Sequence, residues 1–330
     1  MDEAGERSPL FVPPGTVGAG TAFGTFGELL QGQLPEDDGD FLVTLPVARW
    51  TRVVFRPDPR RAEPQVWPAH KTKALRLVRM ICADAGRPAG GRLTVRSAIP
   101  EGKGLASSSA DLVATARAVG RALGLPMPPR RIERYLARIE PTDGVLYPAI
   151  VAYHHRTVRL RATLGSLPRM TVVGVDEGGV VDTVDFNRAP KPFTAADRRA
   201  YASLLDRLTT AVRCGDLETV GDIATRSALR NQAVSPKRWL EPMRDICRDV
   251  GGLGVVVGHS GTALGVLLDA RDPACPHRTT AASRACAELA GAATLYRTLS
   301  FRRDGSVGPQ ATVARTRCPE PSESVTVLSR

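Results

Sequence analysis

The chain has 330 residues, of which 42% are hydrophobic and 24% charged, a composition typical of a folded globular protein and not of a chain that is disordered throughout. It holds no run of about 18 apolar residues, and its acidic N-terminus lacks the apolar segment of a secretory signal. We therefore expect no membrane span and a cytoplasmic location. Six cysteines are scattered along the chain without the CxxC spacing of a zinc site.

The net charge of +11 suggests a nucleic-acid partner at first sight. However, basic residues are spread along the whole chain with acids between them, and aromatic residues make up only 5% of the sequence. Nucleic-acid binders usually gather positive charge on one face and place exposed aromatics among it. We therefore predict no nucleic-acid partner and attribute the positive field to attraction of an anionic small molecule. The sequence leaves open whether the protein is a monomer or a homodimer.

The first 19 residues are rich in Pro, Gly and charge, and we expect them to form a tail. Three strands and a helix are then predicted, at residues 21–32, 41–45, 51–55 and 73–85. A glycine turn interrupts the first of these strands. Pro46 separates the second strand from the third, because proline cannot donate to a central ladder.

The most informative unit is a strand at 91–100, followed by a run rich in glycine and serine and by a helix from 110 to 123. Glycines let a backbone approach phosphate groups closely, and the free N–H groups at the start of a helix point at them. Serine hydroxyls at that turn add donors and a possible Mg²⁺ ligand. The run fits neither a Walker A loop nor a dinucleotide fingerprint. A helix at 130–139 follows.

The second half begins with two strands, 170–175 and 180–184, joined by a turn rich in acid and glycine. The remaining predicted elements are helices at 195–214, 217–231, 239–250 and 281–290, a strand–turn–strand unit at 254–268, and a strand at 293–296. A boundary near Gly165 divides the chain into two α+β halves, 20–165 and 166–313, with tails at 1–19 and 314–330.

One motif makes the sequence recognisable. Pro100-Glu101-Gly102-Lys103-Gly104-Leu105-Ala106-Ser107-Ser108-Ser109-Ala110 resembles the ATP-binding motif of the GHMP kinases, approximately Pro-x-x-x-Gly-Leu-Gly-Ser-Ser-Ala-Ala. Two positions differ, since Ala106 replaces a glycine and Ser109 replaces an alanine. Segments 24–32 and 258–265 are similar to the N-terminal and C-terminal motifs of the same family. Gly-Glu-Leu-Leu-Gln-Gly at 27–32, together with 140–144, resembles the branch that contains the L-threonine kinase of cobalamin assembly.

This resemblance implies a two-domain α+β fold, with an N-terminal domain like ribosomal S5 domain 2 and a ferredoxin-like C-terminal domain. It implies ATP and Mg²⁺ as cofactors, and a small-molecule hydroxyl substrate bound between the domains. The implied reaction transfers the γ-phosphoryl of ATP to L-threonine or a similar hydroxy-amino acid, within cobalamin biosynthesis. The alternatives are a kinase of another small alcohol, a nucleotide-binding regulator without catalysis and, most weakly, a nucleic-acid binder.

The resemblance also assigns site residues. ATP would contact Pro100, Gly102, Lys103, Gly104, Leu105, Ala106, Ser107, Ser108 and Ser109. Asp143 would orient or deprotonate the attacking hydroxyl, although a Thr-Asp-Gly turn is the alternative interpretation. Mg²⁺ would bind Ser108, with Ser107 or Ser109 as alternatives, and either Glu133 or Glu140. The acceptor would contact Glu28, Gly261 and Thr262.

Several other residues stay as weaker hypotheses. Lys71, Lys73 or Lys103 would reach a phosphate, and His259 would be structural. By their spacing, Arg226, Arg230 and Asn231 share one helical face on which an anionic substrate could dock.

Overall fold

The computed structural model of the protein describes residues 16–36, 39–179, 191–302 and 306–307. Its strands are β1 (Gly18–Gln33), β2 (Asp40–Pro57), β3 (Pro64–Trp67), β4 (Gly91–Ser97), β5 (Ile150–His154), β6 (Arg159–Gly165), β7 (Met170–Asp176), β8 (Gly254–Val257), β9 (Ala263–Asp269) and β10 (Thr294–Arg297). Its helices are α1 (Thr72–Asp84), α2 (Ser107–Leu123), α3 (Pro129–Leu136), α4 (Ala195–Cys214), α5 (Leu217–Asn231), α6 (Leu240–Asp249) and α7 (Cys275–Ala290). The predicted strand 180–184 and the predicted C-terminal tail lie outside the described residues.

One sheet runs through both halves of the chain, in the order β10-β7-β9-β8-β1-β2-β4-β3, with β5 paired to β2 and β6 paired to β5. The halves meet where β1 pairs with β8, through Glu28 opposite Val257. This junction brings the predicted N-terminal motif beside the predicted C-terminal glycine motif. The expected domain boundary near Gly165 falls in the connection between β6 and β7, and the boundary itself stays a prediction.

The two long strands were predicted as shorter pieces, and this prediction was wrong. β2 continues through Pro46, which lies opposite Thr25 of β1 beside irregularities in the register between the strands. The missing N–H of a proline is tolerated at such an irregularity, and the Pro46 carbonyl accepts from Leu299 N at 2.9 Å. β1 likewise absorbs its glycine turn as a bulge and remains one strand.

Helix α2 packs closely on β1 because the facing residues are small. A Cβ placed on Gly20 would lie 2.1 Å from the Ala114 carbonyl oxygen, so only glycine fits there. On the helix side, Ala110, Ala114 and Ala118 are buried. The close contact fixes α2, and therefore the loop before it, on the sheet.

The other helices begin and end within a few residues of their predicted limits, apart from α7. This helix starts at Cys275, six residues before its predicted start, with a proline at its first turn. No helix among the described residues is long and apolar enough to cross a membrane.

Candidate active site

The predicted phosphate loop lies between β4 and α2, and the serines open the helix. α2 begins at Ser107, three residues before its predicted start, and Ala106 caps it in the left-handed conformation with φ of 59°. Ala110 N–H bonds to the Ala106 carbonyl at 2.9 Å, so the N–H groups of the three serines precede the first intrahelical bond. The helix therefore presents backbone donors, hydroxyls and the positive end of its dipole at one point.

Two carboxyl groups reach these serines from the segment after α3. Ser108 Oγ donates to Glu140 Oε1. Asp143 is tied to the next serine, because its N–H donates to Ser109 Oγ at 3.1 Å and Ser109 Oγ lies 3.5 Å from Asp143 Oδ2. Burial, with a contribution from the nearby Glu140 charge, raises the pKa of Asp143 to about 6. The order of motifs in the family resemblance implied Asp143 at this site, and the fold places its side chain beside the loop.

The structure separates the two glutamates that the sequence left as alternatives for the metal. Glu133 lies on α3, where its carboxylate accepts from Tyr147 Oη at 2.9 Å and from Leu160 N at 3.0 Å. These bonds hold a buried carboxylate within the packing of α3. Glu140, in contrast, contacts Ser108. The geometry therefore favours Glu140 over Glu133 as the carboxylate beside the loop.

Glu28 of β1 lies within the same group of carboxyls. Its side chain is only 2% exposed, and none of the described residues donates a hydrogen bond to its Oε2. Burial is the main cause that raises the pKa of Glu28 well above its usual range, and the neighbouring Asp143 charge adds to it. A buried carboxyl that has one oxygen without a donor among the described residues, and that lies next to a second acid, is suited to a cationic ligand.

The C-terminal glycine turn closes against the phosphate loop from the other half. A Cβ on Gly261 would lie 2.1 Å from the Lys103 carbonyl carbon and 2.2 Å from Gly104 N. The buried ammonium of Lys237 donates to the Gly261 carbonyl at 2.6 Å, which holds the turn in place. Lys103 pairs with Asp176 at 2.7 Å, and the same carboxylate accepts from Thr262 Oγ1. Lys103, Gly261 and Thr262 thus link the two halves at the loop.

A network of charged residues that the sequence did not predict, mostly buried, connects the loop with α1 and α2. Lys71 precedes α1 and pairs with Glu101 of the loop at 2.7 Å and with Asp111 of α2 at 2.6 Å. Thr51 Oγ1 donates to the same Asp111 at 2.9 Å. In the sequence, the one signal for this network is an aspartate near the start of an otherwise apolar helical run.

A concavity of about 770 Å³ lies between β3, β4 and α1, along the length of β4. Its lining includes Trp67, which is 59% exposed, with Leu75, Thr94 and Arg96. An exposed aromatic ring beside an apolar wall is typical of a site for a planar group. No motif in the sequence predicts this concavity, because its lining comes from three separate elements.

The structure places Arg226 and Arg230 together on α5, and a docking role for the predicted face of Arg226, Arg230 and Asn231 stays a prediction. Arg226 pairs with Asp222 and Arg230 with Asp197, both near the surface, whereas Asn231 is buried. The helical spacing is correct, but their partners lie on the protein itself. His259 is buried, and its Nδ1 lies 2.7 Å from Gln31 Oε1.

The fold and this site define a class: a protein with a candidate anion site at a helix N-terminus, surrounded by serine hydroxyls, carboxyls and lysines. Comparison with known proteins agrees. Residues 72–151 match the GHMP kinases N-terminal domain, and residues 203–285 match the GHMP kinases C-terminal model. The chain belongs to the GHMP kinase family, and the predicted two-domain fold is confirmed.

Among curated proteins, the chain is similar to L-threonine kinases. It is 28% identical over 182 residues to that of Citrobacter freundii, covering 54% of this chain and 62% of the relative. It is 27% identical to that of Salmonella typhimurium, covering 54% of this chain and 60% of the relative. The alignments therefore span about three fifths of the length of these relatives.

Solved structures share the fold at low sequence identity. A homoserine kinase from Cytophaga hutchinsonii superposes with a TM-score of 0.65 at 14% identity, covering 88% of this chain and 97% of the other. A mevalonate kinase of L. major, in complex with R-mevalonate, gives 0.63 at 16% identity, with coverage of 89% and 98%.

Proposed function

We propose that the protein is a kinase that transfers the γ-phosphoryl group of ATP to the hydroxyl of L-threonine or a closely similar hydroxy-amino acid. One observation carries the proposal. Neighbouring serines at the start of α2 contact two carboxyl groups, since Ser108 Oγ donates to Glu140 and Ser109 Oγ lies 3.5 Å from Asp143 Oδ2. Phosphoryl transfer needs this combination of anion binding, metal ligands and a base at one point.

ATP would lie along the loop. Its phosphates would accept from the N–H groups and hydroxyls at the start of α2, and Lys103 would add positive charge from the loop itself. Its base would enter the concavity beside Trp67 and stack on the ring. The strand end before the loop joins the two places, because Arg96 lines the concavity and Pro100 begins the loop.

The donor set fits Mg²⁺. No group of three or more His, Cys, Asp or Glu side chains in the described part of the chain is arranged to hold a metal ion, but Mg²⁺ keeps several waters and needs few protein oxygens. Ser108 Oγ and Glu140 would hold the ion. When bound there, Mg²⁺ would neutralise charge on the transferred phosphoryl group.

Asp143 would take the proton of the attacking hydroxyl. A base works best when its pKa lies near the working pH, and burial raises that of Asp143 to about 6. The carboxyl is therefore mostly ionised at neutral pH, yet basic enough to accept a proton. The Ser109 contacts orient it.

Glu28 would recognise the amino group of the acceptor. Its buried carboxyl is next to Asp143, so an ammonium bound there would lie close to the reacting hydroxyl. The pairing would also compensate a charge that the described residues leave without a hydrogen-bond donor at one oxygen. The similarity to L-threonine kinases supports an amino-acid acceptor.

The test is phosphorus NMR of the products formed from ATP with L-threonine, L-serine, L-homoserine or 3-hydroxybutyrate. The last compound keeps the hydroxyl and carboxylate of threonine and lacks only its ammonium. We expect a phosphate ester with L-threonine and little or none with 3-hydroxybutyrate. Equal turnover of the two would contradict the role of Glu28, and no ester from any of the four would contradict the proposed acceptor class.

A further inference from the structure

The carboxylate proposed to hold the metal also has a lysine as partner. Lys73, in the first turn of α1, pairs with Glu140 Oε2 while Ser108 donates to Glu140 Oε1. The ammonium group therefore stands against the same carboxylate that, with the serine hydroxyl, forms the metal donor set. The two cations would compete for one group.

The local charges explain why a cation is needed there before ATP arrives. Glu140 is buried, with its side chain 7% exposed, and its charge acts on the nearby Asp143. Two acids in a buried space repel each other unless a positive charge lies between or beside them. In the described residues, Lys73 supplies that charge to Glu140.

Lys73 is held less firmly than Lys71, as the exposure and the number of partners of the two side chains show. Lys71 is 11% exposed at its side chain and pairs with two acids, Glu101 and Asp111. Lys73 is 50% exposed, and among the described residues Glu140 is its one acidic partner. A long side chain that is half in solvent loses little when it leaves a single partner.

We propose that Lys73 is an exchangeable counter-ion that occupies the metal's carboxylate in the unloaded protein and gives it up when the divalent cation binds. The inference rests on the proposed function of Ser108 and Glu140. The exchange makes and breaks no covalent bond. The ammonium stays protonated, and Glu140 exchanges one cation for another. The freed side chain stays beside the loop, because Lys71, two residues earlier, contacts Glu101 of that loop.

The experiment measures Mn²⁺ binding to the full chain without nucleotide, by the loss of the electron paramagnetic resonance signal of free Mn²⁺. If Lys73 competes with the metal, Lys73→Met removes the competitor, and we expect Mn²⁺ to bind roughly three- to tenfold more tightly. Lys73→Arg keeps a cation and should stay near the wild-type affinity. Arg76→Met, on the same helix but bonded to the Arg138 carbonyl, is the matched control and should not change Mn²⁺ binding.

A second substitution locates the effect. Glu140→Gln in the Lys73→Met background should abolish the gain, because the exchanged carboxylate is removed. Unchanged or weaker Mn²⁺ binding by Lys73→Met, in a protein whose circular dichroism spectrum matches the wild type, would overturn the inference, as would no binding by either protein. The binding assay needs no turnover, so a protein that phosphorylates none of the tested alcohols can still show the shift.

Discussion

At Asp143 the proposed catalytic role conflicts with the stability of the fold. Its pKa is about 6 in the folded chain, against 3.8 for an ordinary aspartate. A carboxyl whose pKa is raised on folding contributes stability only at low pH, and this contribution is lost as the pH rises through the folded pKa. Above that pH the buried, ionised Asp143 destabilises the fold.

We therefore predict that Asp143→Asn unfolds less readily than the wild type while losing turnover. The shift of about two pKa units corresponds to roughly 2 to 3 kcal/mol of unfolding free energy at pH 7.5. The gain should be about half as large at pH 5, between the folded and unfolded pKa values, and should vanish near pH 3. Urea denaturation at the three pH values measures it.

The matched control is Asp245→Asn, at an exposed acid on α6 far from the loop in sequence. It should change the unfolding free energy by less than about 0.5 kcal/mol at each pH. An Asp143→Asn protein that is less stable than the wild type at pH 7.5 would contradict the assignment of a costly buried charge, whatever its activity.

The choice between Glu133 and Glu140 shows what a sequence can and cannot predict for single residues. Both precede Asp143 in the order that the family resemblance implies, so both were open. The difference lies in tertiary contacts. Tyr147 Oη and Leu160 N–H donate to Glu133 from segments later in the chain, whereas Ser108 of α2 donates to Glu140. Periodicity and motif order hold no information on such long-range partners.

At the scale of elements, helices were predicted better than strands, for a physical reason. The limits of α4 and α5 match because local signals end them, including the Thr194–Asp197 capping box and left-handed Gly215. The continuity of β1 and β2 depends on pairing between strands, which a bulge at Pro46 permits and no local signal marks. The phosphate loop was predictable because the residues that form it are consecutive in the chain, from Pro100 to Ala110.

The start of α2 carries an unusual residue, since Ala106 adopts φ of 59° where the family motif has glycine. An alanine in the left-handed region costs about 1 to 2 kcal/mol. Ala106→Gly removes this strain, but it also loses a methyl contact and adds conformational freedom to the unfolded chain. The free-energy cost of these two losses is about as large as the strain that is removed. We predict a change in the free energy of unfolding within about 0.5 kcal/mol, measured by urea denaturation.

Ala114 in the middle of α2 is the matched position, because it is buried and helical with no left-handed strain. Ala114→Gly should cost about 2 kcal/mol, from helix propensity and the lost methyl contact together. If Ala106→Gly were as destabilising as Ala114→Gly, the left-handed cap would not be a source of strain.

At the scale of the whole molecule, the site depends on contact between two distant parts of the chain. The phosphate loop belongs to the first half, and the turn that closes against it lies about 155 residues later, at Gly261. The interior offers no space between them, since any Cβ at 261 would overlap the Lys103 carbonyl. The pairing of β1 with β8, which joins the two halves of the sheet, therefore brings the loop and the turn together.

We predict that Gly261→Ala weakens ATP binding at least tenfold, because the methyl group pushes the turn and the loop apart and displaces Gly104. Calorimetric titration with a nonhydrolysable ATP analogue measures the affinity. Gly258→Ala is the control in the same turn, since a Cβ there would meet its nearest neighbour at 3.5 Å, an ordinary contact. It should bind the analogue within about threefold of the wild type. Equal affinities of the two variants would mean that the turn only adjoins the loop and does not shape it.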